Sequence, residues 1–303
     1  EWWYFTGHLT DTDGDLHGYQ FTFFRNKLDT ITEDISIWNA PEFYTAHFGF
    51  INGKTGKYVH EERSARSTFS IASVSSQNMD ITLYDWKLKK EGTMITISIN
   101  SEIGLFKLNL TPAKKMVFHG KNGVSNKSAN NSQFSHYYSY TRLEGNGSLT
   151  HKNDQITFKQ HSSWMDREIF DQYLDSSVDG WDWFALQLDD NSEIMIGHVR
   201  GDKPFKFGTY VDKDGNSSYL SHDDIKLTII DTWKSKKTAH RYPIEWDIKI
   251  LSLNKTFRVK ARVNDQELSA TKPFPQSYWE GQCDVSGSEK GLAYMELVGY
   301  DSD

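Results

Sequence analysis

In the stretch SSWMDREIFDQY, residues 162–173, three charged residues stand side by side: Asp166, Arg167 and Glu168, behind Trp164 and Met165. Asp166 and Glu168 are two positions apart, so on a strand they share one face and Arg167 takes the other. Two carboxylates on one face repel each other, and burial raises their pKa values. One of the pair can then keep its proton near neutral pH and serve as a general acid. The same trio also suits a structural ion-pair network, because buried charges persist only when paired and hydrogen-bonded. Arg25, Arg63, Arg142 and Arg200, each at the end of a strand-like stretch, are its candidate partners.

Other residues could join such a site. His47 sits alone in the apolar stretch TAHFGF. It reads either as a satisfied core histidine or as a general base, since its pKa lies in the working range. In HYYSYTRL (136–143), Tyr138 and Tyr140 share one face and Tyr137 and Ser139 the other. The Tyr138/Tyr140 face either lines a ligand cavity or packs a barrel wall, and a tyrosine hydroxyl can relay a proton. Trp181 and Trp183 flank Asp182 on the opposite strand face, and an aspartate among tryptophans needs a partner or a task. Trp3, Trp164, Trp181 and Trp183 complete the candidate ligand-binding set with the two tyrosines.

Several chemistries find no support. No His-x-His or His-Glu-x-x-His spacing occurs, and Cys283 is the only cysteine, so no metal site is expected. There is no Gly-x-Ser-x-Gly elbow of a serine hydrolase. A phosphate-binding loop and a dinucleotide fingerprint are also missing. The net charge of −7 and the lack of a basic stripe argue against nucleic acid as a partner. No apolar run reaches the 18 residues of a membrane-spanning helix. The chain opens on Glu1 without a methionine, which is expected of a trimmed or mature fragment.

The elements that must position these residues read as strands. Alternating patterns recur at 19–25, 94–100, 105–111, 193–200, 246–253 and 257–263. DTDGD, NGKTGK, EGNGS and VDKDGNSS read as the turns between strands. The 10 Trp, 15 Tyr and 18 Phe favour half-buried strands and aromatic-lined space. A short helical turn is expected only within DREIFDQYLDSS. The polar run 120–133 reads as a loop inside the first half. Two stretches repeat: WWYFTGHLTD leading to Arg25, and WDWFALQLDD leading to Arg200. Each is an aromatic strand, an acidic turn and a second strand. Duplication of a β-barrel unit follows, with an N-terminal barrel at 1–155 and a C-terminal barrel at 156–303. YWEGQCDVSG and GLAYMELVGY read as a closing hairpin, with Tyr294, Glu296 and Val298 alternating with Ala293, Met295 and Leu297.

EWWYFTGHL with GYQFTFFR, AHFGF, Glu62-Arg63, HYYSYTRL, SWMDRE, GWDWFALQLDD, YWEG and AYMELVGY resemble, in order, a lipocalin-like family. That family includes the AttH-type proteins and the bacterial carotenoid 1,2-hydratases (hydroxyneurosporene synthases), and its members are often labelled secreted hydrolases. The resemblance covers nearly the whole chain. It implies an all-β protein of two tandem lipocalin-like (calycin) β-barrel domains. In the carotenoid hydratases the central motif reads Met-Asp-His-Glu-Trp, with the His and Trp implicated in activity. Here Arg167 stands at the His position and Ile169 at the Trp position. Arginine does not shuttle protons at neutral pH, so the resemblance does not carry that role over.

The resulting expectation is a cofactor-independent lyase or isomerase acting on an apolar, isoprenoid-like small molecule. Asp166 or Glu168 would protonate a double bond, and aromatic faces would stabilise the cation. Water, or another part of the substrate, would capture it, giving hydration or cyclisation. Arg167 would hold the acid's charge or orient a polar end of the substrate. The alternative is a non-catalytic carrier of a lipid or other hydrophobic ligand at the cell envelope. A secreted, periplasmic or envelope location is expected, with the cytoplasm as alternative. Peripheral membrane contact and the oligomeric state stay open.

Overall fold

The computed structural model describes residues 1–28, 41–68, 71–130, 132–170, 177–269 and 276–300. The protein is all-β, with no helix among these residues. Its strands form two antiparallel sheets, one of thirteen strands and one of ten, in the two-domain lipocalin-like arrangement. The strand-like runs at 19–25, 94–100, 105–111 and 193–200 fall within strands Leu16–Lys27, Met94–Ser101, Gly104–Pro112 and Glu193–Gly201. The residues 166–169 of the possible helical turn are instead the end of strand Asp154–Ile169, and 171–176 lie outside the described residues.

One expected turn is a strand. EGNGS (144–148) lies inside the long strand Phe134–His151, where Gly145 pairs with Leu110 and Gly147 with Leu108. A Cβ on Gly147 would come within 2.3 Å of the Lys107 carbonyl oxygen. The glycine serves close approach of two strands here, a role that looks like a turn signal in sequence.

The two repeated hairpins are both present. Trp2–Asp11 pairs with Leu16–Lys27, and Val178–Leu188 with Glu193–Gly201. In each sheet this first strand also pairs with the last: Trp2–Asp11 with Asp154–Ile169, and Val178–Leu188 with Gly291–Val298. Strand Tyr278–Gly287 forms the closing hairpin with Gly291–Val298.

The chain divides into two compact units, residues 1–113 with 142–165, and residues 114–141 with 166–303. Each unit is built from two stretches of the chain. Strand Phe134–His151 passes from the second unit to the first after Thr141, and strand Asp154–Ile169 returns after Met165. The polar run 120–133, read above as a loop of the first half, belongs to the second unit.

In the second unit one sheet face is an apolar core of Phe184, Leu186, Ile194, Ile196, Trp246, Met295 and Leu297 among others. Strand alternation puts Trp181, Trp183 and Glu296 on the opposite face. Strand register aligns Phe207, Gly197, Trp183, Glu296 and Glu280 in one lateral row across that face.

Candidate active site

Asp166 and Glu168 are both buried, and both meet side chains from the segment 114–141 of their own unit. Asp166 Oδ2 accepts the Tyr137 hydroxyl at 2.8 Å, and Oδ1 accepts the Ser139 hydroxyl. Glu168 Oε1 accepts the Ser135 hydroxyl and pairs with the Lys127 ammonium at 2.5 Å. Ser135, Tyr137 and Ser139 are alternate residues of one strand and so share the face that meets the carboxylates. Short strands Val117–Phe118 and Val124–Asn126 pair with this strand and bring His119 and Lys127 to the same place.

Lys127 is buried and sits among aromatic faces, 4.9 Å from the Tyr137 ring centroid and 4.2 Å from that of Phe207. An aromatic face attracts a cation through its quadrupole. The Phe207 ring lies across Gly197, where a Cβ would come within 2.3 Å of it. This region of the unit therefore already accommodates one positive charge, tethered to the chain.

Two chains of donors converge on Asp166. Trp183 Nε1–H donates to the Tyr137 oxygen at 3.2 Å, and Tyr137 donates onward to Asp166. On the other side His119 Nε2 lies 2.6 Å from Ser139 Oγ, and its Nδ1 lies 2.8 Å from Thr209 Oγ1. Burial, helped by the Lys127 charge, lowers the His119 pKa to about 3, so the ring is neutral. Ser139 gives its one proton to Asp166, so its oxygen accepts Nε2–H, and Nδ1 accepts the Thr209 hydroxyl proton. Burial, then the Asp166 and Glu168 charges, push the Tyr137 hydroxyl well above its ordinary range, which keeps it a donor.

Glu296 completes the group. It is half-buried on the row between Trp183 and Glu280. Burial raises its pKa to about 8; a Trp181 hydrogen bond opposes this, and the Asp166 and Glu168 charges add to it. The raised pKa favours the protonated form of this carboxyl at neutral pH, within electrostatic reach of Asp166 and Glu168. The unit thus brings a carboxyl of raised pKa, two hydrogen-bonded carboxyl groups and aromatic faces together.

The sequence-derived residues are only partly assembled here. Asp166, Glu168 and Trp183 are in the group, and Trp181 hydrogen-bonds Glu296. Arg167 is buried but points to the other strand face, where it donates to the Glu168 carbonyl at 3.2 Å. Tyr138 is also on the far face of its strand, 6.3 Å from the exposed Phe118 ring, and Tyr140 shares that parity. The face that meets the carboxylates is that of Tyr137.

His47, Trp3 and Trp164 belong to the other unit. Trp3 packs edge-on against Phe23 at 6.1 Å, and Trp164 is buried. His47 is buried 3.8 Å from Glu62 and edge-on to Phe24 at 5.2 Å. Burial, then the His60 charge, lowers its pKa to about 3, which is the behaviour of a neutral core histidine. Three of the four arginines expected as partners have carboxylates elsewhere: Arg25 pairs with Glu1 and Glu42, Arg63 with Glu61 and Asp85, Arg200 with Asp182. Lysine 127 pairs with Glu168 instead. Asp182 has its partners, His198 at 2.9 Å and the Tyr300 hydroxyl at 2.7 Å.

A model of the AttH-like family matches residues 1–300. The chain belongs to the AttH-like family. Among solved structures, an AttH-type protein of Nitrosomonas europaea is 30% identical with a TM-score of 0.87, over 99% of this chain and 92% of that one. Kievitone hydratase of Nectria haematococca is 17% identical with a TM-score of 0.79, over 99% and 89%. CghA, solved with Sch210972, is 9% identical with a TM-score of 0.62, over 99% and 88%. These last two share the fold of this AttH-like chain. No curated protein matches it in sequence. Groups of three or more His, Cys, Asp or Glu suited to a metal ion do not occur among the described residues.

Proposed function

We propose that this chain is a hydratase-type enzyme that adds water to, or removes it from, a carbon–carbon double bond of an apolar, isoprenoid-like small molecule. The observation that carries the proposal is Glu296: a half-buried carboxyl paired in register with Trp183 and hydrogen-bonded by Trp181, its pKa raised to about 8 by burial and by the nearby Asp166 and Glu168 charges. The acid is therefore assigned to Glu296 in place of Asp166 or Glu168, which serve as hydrogen-bond and ion-pair acceptors. That one neighbour in fold is named a hydratase supports the reaction class.

In the hydration direction the Glu296 O–H bond breaks as its proton forms a C–H bond and the π bond opens. Aromatic faces stabilise the cation that develops. A water oxygen bonds the other carbon and its surplus proton passes to Asp166. Return of that proton to Glu296 restores the site, so alkene and water balance the alcohol with no cofactor consumed. Dehydration is the same sequence reversed.

The test is incubation of wild type and Glu296→Gln with a panel of prenylated and polyene alkenes in oxygen-18-labelled water, read by mass spectrometry. Labelled alcohol from wild type and at least 100-fold less from the variant, the usual scale of general acid catalysis, supports the reading. Equal recovery of unmodified, tightly bound alkene from both overturns it in favour of a carrier.

A further inference from the structure

We infer that the chain Thr209–His119–Ser139 is a positioning device that fixes Asp166 as the ionised member of the carboxylate group and so leaves the proton on Glu296. This rests on the acid–base reading above and adds residues that do not touch the substrate in it. Thr209, His119 and Ser139 are all buried. With Ser139 donating to Asp166 Oδ1, the chain runs one way: Thr209 to Nδ1 of His119 at 2.8 Å and Nε2 to Ser139 at 2.6 Å. The second chain, Trp183 to Tyr137 to Asp166 Oδ2, points the same way. Tryptophan donates only, so its link to Tyr137 cannot reverse.

A protonated Asp166 needs an acceptor for its own proton. Along the first chain Ser139 accepts that proton only by turning its own hydroxyl away from Asp166; where it turns to Nε2, His119 changes tautomer and Nδ1–H donates to Thr209. The neutral ring allows this without gaining charge, so the tautomer of His119 reports on Asp166. Glu168 has a different source of negative-charge support, the Lys127 ammonium 2.5 Å away. Glu296 is hydrogen-bonded by the Trp181 indole, while Asp166 and Glu168 both repel its charge. The asymmetry of donors decides which carboxyl carries the proton. The charged and titratable groups around His119 and Asp166 include Lys127, Tyr137, Glu168 and Glu296.

The test is a carboxyl carbon-13 and imidazole nitrogen-15 NMR titration of wild type, Ser139→Ala, Thr209→Val and Thr209→Ser. None of these replaces a residue placed in the chemistry. In wild type His119 is neutral with its proton on Nε2 at neutral pH. Loss of one donor raises the Asp166 midpoint in Ser139→Ala by about one to two pH units, the scale of one hydrogen bond to a charged acceptor. The Glu296 midpoint falls in the same variant. Thr209→Val frees His119 to change tautomer and moves both midpoints the same way by less, and Thr209→Ser restores them. Unchanged midpoints in Ser139→Ala and Thr209→Val overturn the inference. A wild-type protein in which Glu296 titrates in the ordinary carboxyl range overturns the acid assignment instead, and a shifted Asp166 in the variants still upholds the chain's role.

Discussion

The Tyr137 hydroxyl lies 2.8 Å from Asp166 Oδ2, and its own oxygen receives the Trp183 indole proton at 3.2 Å. One buried phenol therefore links the aromatic sheet face to the carboxylate. Tyr137→Phe keeps the ring, and with it the Lys127 contact, but removes a donor from Asp166 and an acceptor from Trp183. Urea unfolding should show a loss of about 1–3 kcal/mol, the cost of disturbing buried polar groups. Hydration activity should fall with it, because Asp166 loses a hydrogen bond that orients it.

The Lys127–Glu168 pair is buried on both sides, with side-chain exposures of 8% and 7%. Removing either partner strands a charge. Lys127→Met and Glu168→Gln should each cost about 3–5 kcal/mol, while the double variant should cost less than the two added together. A double-mutant cycle by chemical unfolding checks this, and strict additivity would show the pair to be uncoupled.

Much of this arrangement was legible in the sequence, and the remainder fails for identifiable reasons. The period of two gave the strands, the hairpin repeat and the common face of Asp166 and Glu168. It also offers two faces of HYYSYTRL without saying which one meets the carboxylates, and that face is the one of Tyr137 and Ser139. Glu296 carried a signal: a carboxyl sharing its strand face with Tyr294 and Val298 is a half-buried acid. Its neighbours Asp166 and Glu168 are far away along the chain, and their influence is visible only after folding. Lys127 was hidden in a polar, turn-like run, and nothing near His119 in sequence announces Ser139 or Thr209. EGNGS misled because glycines that permit close strand contact have the composition of a turn.

Gly197 makes room for the Phe207 ring that lies under Lys127. Gly197→Ala should push the ring aside and weaken its contact with the ammonium. A destabilisation of about 1–3 kcal/mol is expected from overpacking, measured by thermal or urea unfolding. Phe207→Leu, which removes the ring face but leaves volume, should lose less stability than Gly197→Ala.

The pH dependence of stability separates the acid from the histidines. Glu296 has its pKa raised from 4.5 to about 8, so between those values the folded state holds a proton that the unfolded chain has released. Its contribution is fully present below about pH 4.5 and is lost as pH rises through 8. His47 and His119 have theirs lowered from 6.5 to about 3, so the unfolded chain takes up protons that the folded state refuses. Their contribution is present above 6.5 and is lost as pH falls towards 3. From pH 5 to 6.5 the two effects oppose one another, and above 6.5 only Glu296 acts. Urea unfolding across pH 5–8.5 should therefore show wild-type stability declining above 6.5 by up to about 1.4 kcal/mol per pH unit, the limit for one proton. Glu296→Gln should remove that decline and steepen the loss on the acid side. A wild type and variant with parallel curves above pH 6.5 would mean that Glu296 is already ionised in the folded protein, and the acid would have to be sought at another carboxyl.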